Sequence, residues 1–161
     1  MKRTVNMDAM AKGWGSLLGA LIVIYFAYGS NLDLPQMNNR CRGAATIGTA
    51  LLPSHRFIIN SQGGATVVPD PYSSVQGLLW NITKADERSL DRYEGVRRGV
   101  YRRAIVQVVK PNGQKTKALI YIATDSTPGT ARPGYMEKVI AGAEQCGLPK
   151  TYIDQLKPWL R

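Results

Sequence analysis

Residues 21–27 form a run of aliphatic, β-branched and aromatic side chains, Leu21-Ile22-Val23-Ile24-Tyr25-Phe26-Ala27, which breaks at once into Tyr28-Gly29-Ser30-Asn31-Leu32. Valine, isoleucine, tyrosine and phenylalanine fit a pleated, buried surface, so the run predicts a strand inside a sheet. Gly29 can take φ > 0 without steric cost, and Ser30 and Asn31 both tolerate tight turns. The junction therefore predicts a strand ending in a turn whose successive N–H groups converge on a carboxylate or carbonyl oxygen.

The rest of the chain supplies a sheet for that strand to join. Residues 33–39 read as a short helical turn, and residues 47–52 and 57–60 as two strands joined by Pro53-Ser54-His55-Arg56. After Gln62-Gly63-Gly64, a short strand at 65–68 leads through Pro69-Asp70-Pro71 into a strand at 75–82. Thr83 has Asp86 three residues on, a capping-box pattern with Asp in place of Glu or Gln, and starts a helix that runs to about Arg92 and delivers Glu94 at its end. Residues 101–109 and 116–123 predict a hairpin around Pro111-Asn112-Gly113, since Asn-Gly suits the φ > 0 positions of a tight turn, with residues 118–122 central to the sheet. A Pro/Gly/Thr-rich loop over 126–134 precedes a helix from about Tyr135 to Cys146 that stops at Gly147, and a last helix begins near Thr151. Short strands with helices at intervals, rather than regular βαβ alternation, make the class α+β.

A chain of 161 residues suits one domain, and 44% apolar content is ample for a core. The net charge of +10 suggests a polyanion partner, but the basic residues are spread from Lys2 to Arg161, with their densest groups at Arg97-Arg98 and Arg102-Arg103. No helix-turn-helix, zinc-finger or base-stacking pattern accompanies them, so they read as a solvated basic face that draws small anions inward, with no nucleic-acid partner. Cys41 and Cys146 are too few for a disulfide framework and lack metal-ligand spacing, which fits a reducing cytosol. The single histidine, His55, excludes a His-rich metal site and lies in a connection between strands. Acid/base chemistry falls to a carboxylate, a tyrosine or a lysine. Lys2, Arg3 and Lys12 ahead of an apolar run over 14–27 imitate a secretory signal, but cleavage after Ala27 or Gly29 would destroy the turn. The run is also shorter than the roughly 20 residues that span a bilayer, so a cytoplasmic protein without a membrane partner is expected.

The second informative segment is Leu90-Asp91-Arg92-Tyr93-Glu94-Gly95-Val96, followed by Gly99-Val100-Tyr101. Alone, Glu94 reads as a helix-end glutamate in water or paired with a nearby arginine, and Gly29-Ser30-Asn31 as a plain turn. Together and in this order, the two segments resemble the gamma-glutamylcyclotransferase family. Tyr135-Met136-Glu137-Lys138-Val139-Ile140, with Gly142-Ala143 and Gly147-Leu148-Pro149, extends the likeness, which runs from about Ile24 to the C-terminus. The resemblance implies a small, mixed, β-barrel-like sheet flanked by helices over residues 21–161. Residues 1–20 are then an extension, either a real segment or the product of a start placed too early, with Met7 and Met10 as internal alternatives.

The same resemblance implies an enzyme that cyclises a γ-glutamyl amino acid or amine to 5-oxoproline, with no metal or organic cofactor. Its partner would be a small γ-glutamyl substrate, and its assembly a monomer or a homodimer. Glu94 takes the place of the family's general acid/base. Tyr28, Gly29, Ser30, Asn31 and Leu32 take the place of the loop that holds the γ-glutamyl group, with Leu32 its apolar anchor, while Tyr101 and Tyr135 line the pocket. Tyr101 as a core-packed strand residue and Tyr135 as a surface aromatic are the plain alternatives. Burial is expected to raise the Glu94 pKa, opposed by Arg97, Arg98 and Arg102 if they point inward. Ser30 lacks the Gly-x-Ser-x-Gly elbow of a nucleophile. The Tyr-Gly-Ser-Asn-Leu loop resembles the γ-glutamyl-amino-acid enzymes more than the glutathione-specific branch, whose loop usually reads Tyr-Gly-Ser-Leu. A pathway-specific enzyme removing a γ-glutamyl protecting group, and a non-catalytic small-molecule or nucleic-acid binder on the same fold, are the other readings.

Overall fold

In the computed structural model, which describes residues 22–160, the predicted first strand is β1 (Ile22–Ala27). Strands β2 (Ala45–Ile59), β3 (Ala65–Thr83), β4 (Tyr101–Val109) and β5 (Lys115–Ala123) close around it into a barrel in the order β1-β3-β2-β4-β5. The β5–β1 seam is parallel, with Tyr25 opposite Leu119, and the other pairs are antiparallel, so the barrel is mixed. Closure removes the unpaired edges that an open sheet would expose. Phe26, Leu79, Ile82, Leu90 and Ile120 are fully buried in its core.

The breaks expected at residues 53–56 and 69–71 do not end strands. β2 and β3 each run through, and the prolines are absorbed at a register shift between Pro53 opposite Ser74 and His55 opposite Pro69. There Ser54 takes φ 58°, and the Asp70 carboxylate accepts from the Tyr72 N–H and the Ser73 hydroxyl, each at 2.9 Å. A bulge tolerates proline because the residue's missing N–H would otherwise be owed to the ladder. In the β4–β5 turn only Gly113 of the Asn-Gly pair takes a positive φ, 85°. Its N–H donates to the Lys110 carbonyl, and the Lys110 N–H to the Gln114 carbonyl, each at 2.9 Å, which makes a three-residue loop rather than a two-residue one.

Two of the helices start at side-chain caps that the sequence supplies. Asp33 accepts from the Gln36 N–H at 2.8 Å to open α1 (Leu34–Arg40). Thr83 and Asp86 form a reciprocal capping box, both bonds 3.1 Å, at the head of α2 (Lys84–Tyr93). Helix α3 (Tyr135–Gln145) ends at Cys146 and Gly147, and α4 (Lys150–Leu156) runs into a 3-10 turn, Lys157–Trp159. Gly142 lets α3 lie directly on residues 32–33, for a Cβ there would stand 2.6 Å from the Leu32 carbonyl carbon. The tip of the β2–β3 hairpin is tied to the loop before α3: the Gly129 N–H donates to Ile59 at 2.8 Å and the Arg132 N–H to Gly63 at 3.1 Å. These ties hold Ala65, the first residue of β3, at one mouth of the barrel. The proposed extension over residues 1–20 lies outside the described residues, among which no helix is long and apolar enough to cross a membrane.

Candidate functional site

At the end of β1 the chain turns through one 3-10 turn, Ser30–Leu32, with the Leu32 N–H donating to Gly29 at 3.1 Å and the Asp33 N–H to Ser30 at 3.0 Å. A single turn leaves its leading N–H groups, here those of Ser30 and Asn31, without a partner inside the turn. Gly29 has φ −110°, so the left-handed conformation expected of it is not used. Close approach is what requires glycine: a Cβ at this position would stand 3.0 Å from the Tyr135 hydroxyl and 3.2 Å from Ala65 Cβ. Leu32, expected among the residues that hold the ligand, is fully buried behind the turn and lines no part of the cavity in front of it. Its role is to seat the turn on the core.

Glu94 follows the last turn of α2, its N–H donating to Leu90 at 2.8 Å. The next residue, Gly95, takes φ 63°, a left-handed conformation that stops the helix and is inexpensive only for glycine. The Glu-Gly step is thus a helix terminus that leaves a carboxylate at a fixed point. That carboxylate meets Tyr28, Gly29, Ser30, Asn31, Tyr101 and Tyr135 in one small cavity that opens to solvent. Tyr25, Ala65 and Tyr121 line the same space and were not anticipated. Tyrosine inside an otherwise apolar buried strand carries the signal that could have found Tyr25 and Tyr121, because a buried hydroxyl needs a partner. Ala65 carries none, since it contributes backbone.

Asn31 organises the cavity. Its Nδ2 donates to the Tyr25 hydroxyl at 3.0 Å and to Glu94 Oε1 at 3.2 Å, while its Oδ1 accepts from Gln36 Nε2 and from an Arg40 guanidinium nitrogen, each at 3.0 Å. All four bonds fix one orientation of the amide and aim its donor at the carboxylate. Tyr101 and Tyr135 bracket the Ala65 peptide: the Tyr101 hydroxyl donates to the Ala65 carbonyl at 2.7 Å, and the Ala65 N–H donates to the Tyr135 oxygen at 3.1 Å. The two tyrosines therefore hold the hairpin as well as line the cavity.

Burial raises the Glu94 pKa from its ordinary value, opposed by Arg40, by the Asn31 bond and by Arg132. The opposing cations are not the expected ones, for Arg97, Arg98 and Arg102 are exposed. Burial likewise lifts the hydroxyls of Tyr25, Tyr28, Tyr101, Tyr121 and Tyr135, so each stays a neutral O–H group at physiological pH. Cys41 is buried and its thiol is pushed up to about 12, first by burial and then by Asp86. His55 sits on β2 with Nδ1 2.9 Å from the Pro53 carbonyl and lines no part of the cavity. Among the described residues, no three His, Cys, Asp or Glu side chains come together as metal ligands. The cavity thus offers one titratable carboxylate, fixed neutral donors and the backbone of a tight turn, a set that can orient a polar ligand and move a proton.

A family profile described as the AIG2-like family matches residues 74–156. The Homo sapiens protein named gamma-glutamylcyclotransferase is 33% identical over 144 residues, which cover 83% of this chain and 77% of that one. The Mus musculus protein of the same name is 31% identical with the same coverage. A solved structure of a gamma-glutamyl cyclotransferase has TM-score 0.81 at 31% identity and covers 86% of this chain and 88% of its own. The chain belongs to the gamma-glutamylcyclotransferase family. The profile match contains Glu94, Tyr101 and Tyr135 but leaves out the Gly29-Ser30-Asn31 turn. In this member of the gamma-glutamylcyclotransferase family, the Asn31–Glu94 bond joins the two parts.

Proposed function

We propose that this protein converts γ-glutamyl compounds to 5-oxoproline, releasing an amino acid or an amine. The observation that carries the reading is the half-buried Glu94 carboxylate, held by Asn31 next to the Gly29-Ser30-Asn31 turn that ends β1. In a γ-glutamyl compound the α-amine and the γ-carbonyl are already tethered, so orientation and proton transfer are what an enzyme must add. Glu94 takes a proton from the α-ammonium. The freed amine attacks the γ-carbonyl carbon to form the five-membered ring, and negative charge gathers on the carbonyl oxygen. N–H donors of the Gly29-Ser30-Asn31 turn stabilise that charge. Glu94 then gives its proton to the departing nitrogen as the amide C–N bond breaks, and the second proton shed by the ring nitrogen ends on the released amine, which leaves as an ammonium, so no water is consumed and no covalent enzyme intermediate forms. The raised pKa suits this double duty, because a carboxylate nearer neutrality both accepts and returns a proton readily.

Membership of the gamma-glutamylcyclotransferase family and the names of the relatives support the reaction class. Two free cysteines, one of them buried, support a reducing, cytoplasmic setting. Purified protein incubated with γ-glutamyl-alanine should release alanine and 5-oxoproline in equal amounts. Absence of 5-oxoproline with γ-glutamyl amino acids and γ-glutamyl amines alike would overturn the assignment in favour of a binding protein.

A further inference from the structure

Outside the cavity, and sharing Ser30 and Tyr135 with it, lies a wider vestibule whose charged lining is Arg40, Arg132 and Lys138. No carboxylate lines it. Some cations elsewhere meet carboxylates, as Arg103 meets Glu87 and Asp91, Arg56 meets Asp70 and Lys157 meets Asp154, while others, Arg97, Arg98 and Arg102 among them, are exposed without an ion pair among the described residues. Among the described residues, none of the three vestibule cations makes such a pair. Neutral contacts position them instead. Arg40 bonds Asn31 and lies over the Tyr93 ring with its guanidinium carbon 4.5 Å from the centroid. Arg132 lies over the Tyr135 ring at 5.1 Å, and Lys138 Nζ donates to Gln36 Oε1 at 3.2 Å.

Three cations held by uncharged partners at one opening keep their charge available to a ligand. The opening adjoins the cavity through Ser30 and Tyr135, which makes it the space next to a carbonyl placed by Glu94. We propose that the vestibule selects γ-glutamyl compounds whose departing amine bears carboxylates, above all an acidic amino acid, and rejects departing groups that carry a second positive charge. The inference rests on the cyclotransferase reading. Its charge count is specific: a departing aspartate or glutamate brings two carboxylates to three cations, whereas a diamine brings an ammonium among them.

The test uses γ-glutamyl-aspartate, γ-glutamyl-alanine, γ-glutamyl-alaninamide and γ-glutamyl-1,4-diaminobutane, which differ in what departs. Expected kcat/KM falls in that order by about tenfold per step, the scale of a charge-assisted bond weakened by partial exposure. Lys138→Glu should erase the preference for aspartate over alanine. Lys157→Glu, the same charge change at a remote residue paired with Asp154, should leave the order intact and so excludes the overall charge of +10 as the cause. Equal kcat/KM for the alanine and alaninamide compounds, or a preference for the diamine, overturns the proposal. If none of the four yields 5-oxoproline, the cyclotransferase reading fails separately. The vestibule is then judged on dissociation constants of the same four compounds by calorimetry, where equal values overturn it.

Discussion

Replacing Glu94 by glutamine should have opposite effects on activity and on stability. Amide and carboxylate are nearly isosteric, and glutamine can still present an oxygen to Asn31 Nδ2, 3.2 Å away in the wild type. Substrate binding and the fold should therefore persist, while proton transfer stops. General acid/base groups contribute about 10²–10⁴-fold, and kcat should fall by at least that range, because here one group serves both half-reactions. For stability, burial is the largest influence on Glu94, and it raises the folded-state pKa despite Arg40, the Asn31 bond and Arg132. Between the unfolded glutamate value, about 4.3, and the higher folded value, the folded state holds more protons than the unfolded one, so stability falls as pH rises through that window. Glutamine lacks this titration. The variant should melt above the wild type at pH 8, and the gap should close as pH falls below about 4. A domain of this size moves by about 2–4 °C per kcal/mol, so calorimetric or circular-dichroism melts at the two pH values resolve the sign. Turnover within threefold of wild type, or a variant less stable at pH 8 than at pH 4 relative to wild type, would refute the reasoning.

Ser30→Ala should weaken turnover only modestly, because the proposed mechanism uses the N–H groups of the turn, while Gly29→Val should be far worse, since its side chain would drive into Tyr135 and Ala65. Intact-protein mass spectra taken during turnover should show no γ-glutamyl adduct, and one on Ser30 would contradict the mechanism. Asn31→Ala removes a donor that stabilises the Glu94 carboxylate, so the acid limb of the kcat/KM profile should move to higher pH; an unmoved limb assigns Asn31 a purely structural part. Gly142→Ala should cost about 1–3 kcal/mol in urea denaturation and lower activity with it, because the new methyl group would push α3 off the site turn. Prolonged chelation should leave turnover unchanged, and activity lost to chelator and regained with Zn²⁺ or Mg²⁺ would count against a reaction run by a lone carboxylate.

How much of this was legible in the sequence depends on the range of the physics involved. Caps and stops are local: Asp33, the Thr83–Asp86 pair, Gly95 and Gly147 each act within a few residues of themselves, and the helices begin and end close to where those residues place them. Proline and serine are local signals too, but their meaning depends on the partner strand. At residues 53–56 and 69–71 the two irregular segments lie opposite one another, so the ladder absorbs both in a single register shift and each strand continues. One strand read alone cannot reveal that its break is matched across the ladder.

The same limit separates the legible part of the site from the rest. Glu94 and the Gly29-Ser30-Asn31 turn stand out because each sits at the abrupt end of a regular element, where a side chain or a peptide is left projecting. What governs them is non-local. Arg40 lies nine residues from Asn31, and Arg132 lies 38 residues beyond Glu94 in number, yet these two oppose the rise in the Glu94 pKa, while the nearby Arg97, Arg98 and Arg102 face solvent. Sequence proximity to α2 put the wrong cations beside the carboxylate because the Gly95 turn carries the chain away from the cavity before the next arginine arrives. The barrel then brings Arg40 from α1 and Arg132 from the loop before α3 to the same mouth. The position of the Glu94 carboxylate is thus set by a local terminus. Its acidity is set by the burial and the cations that the closure of the barrel brings to it.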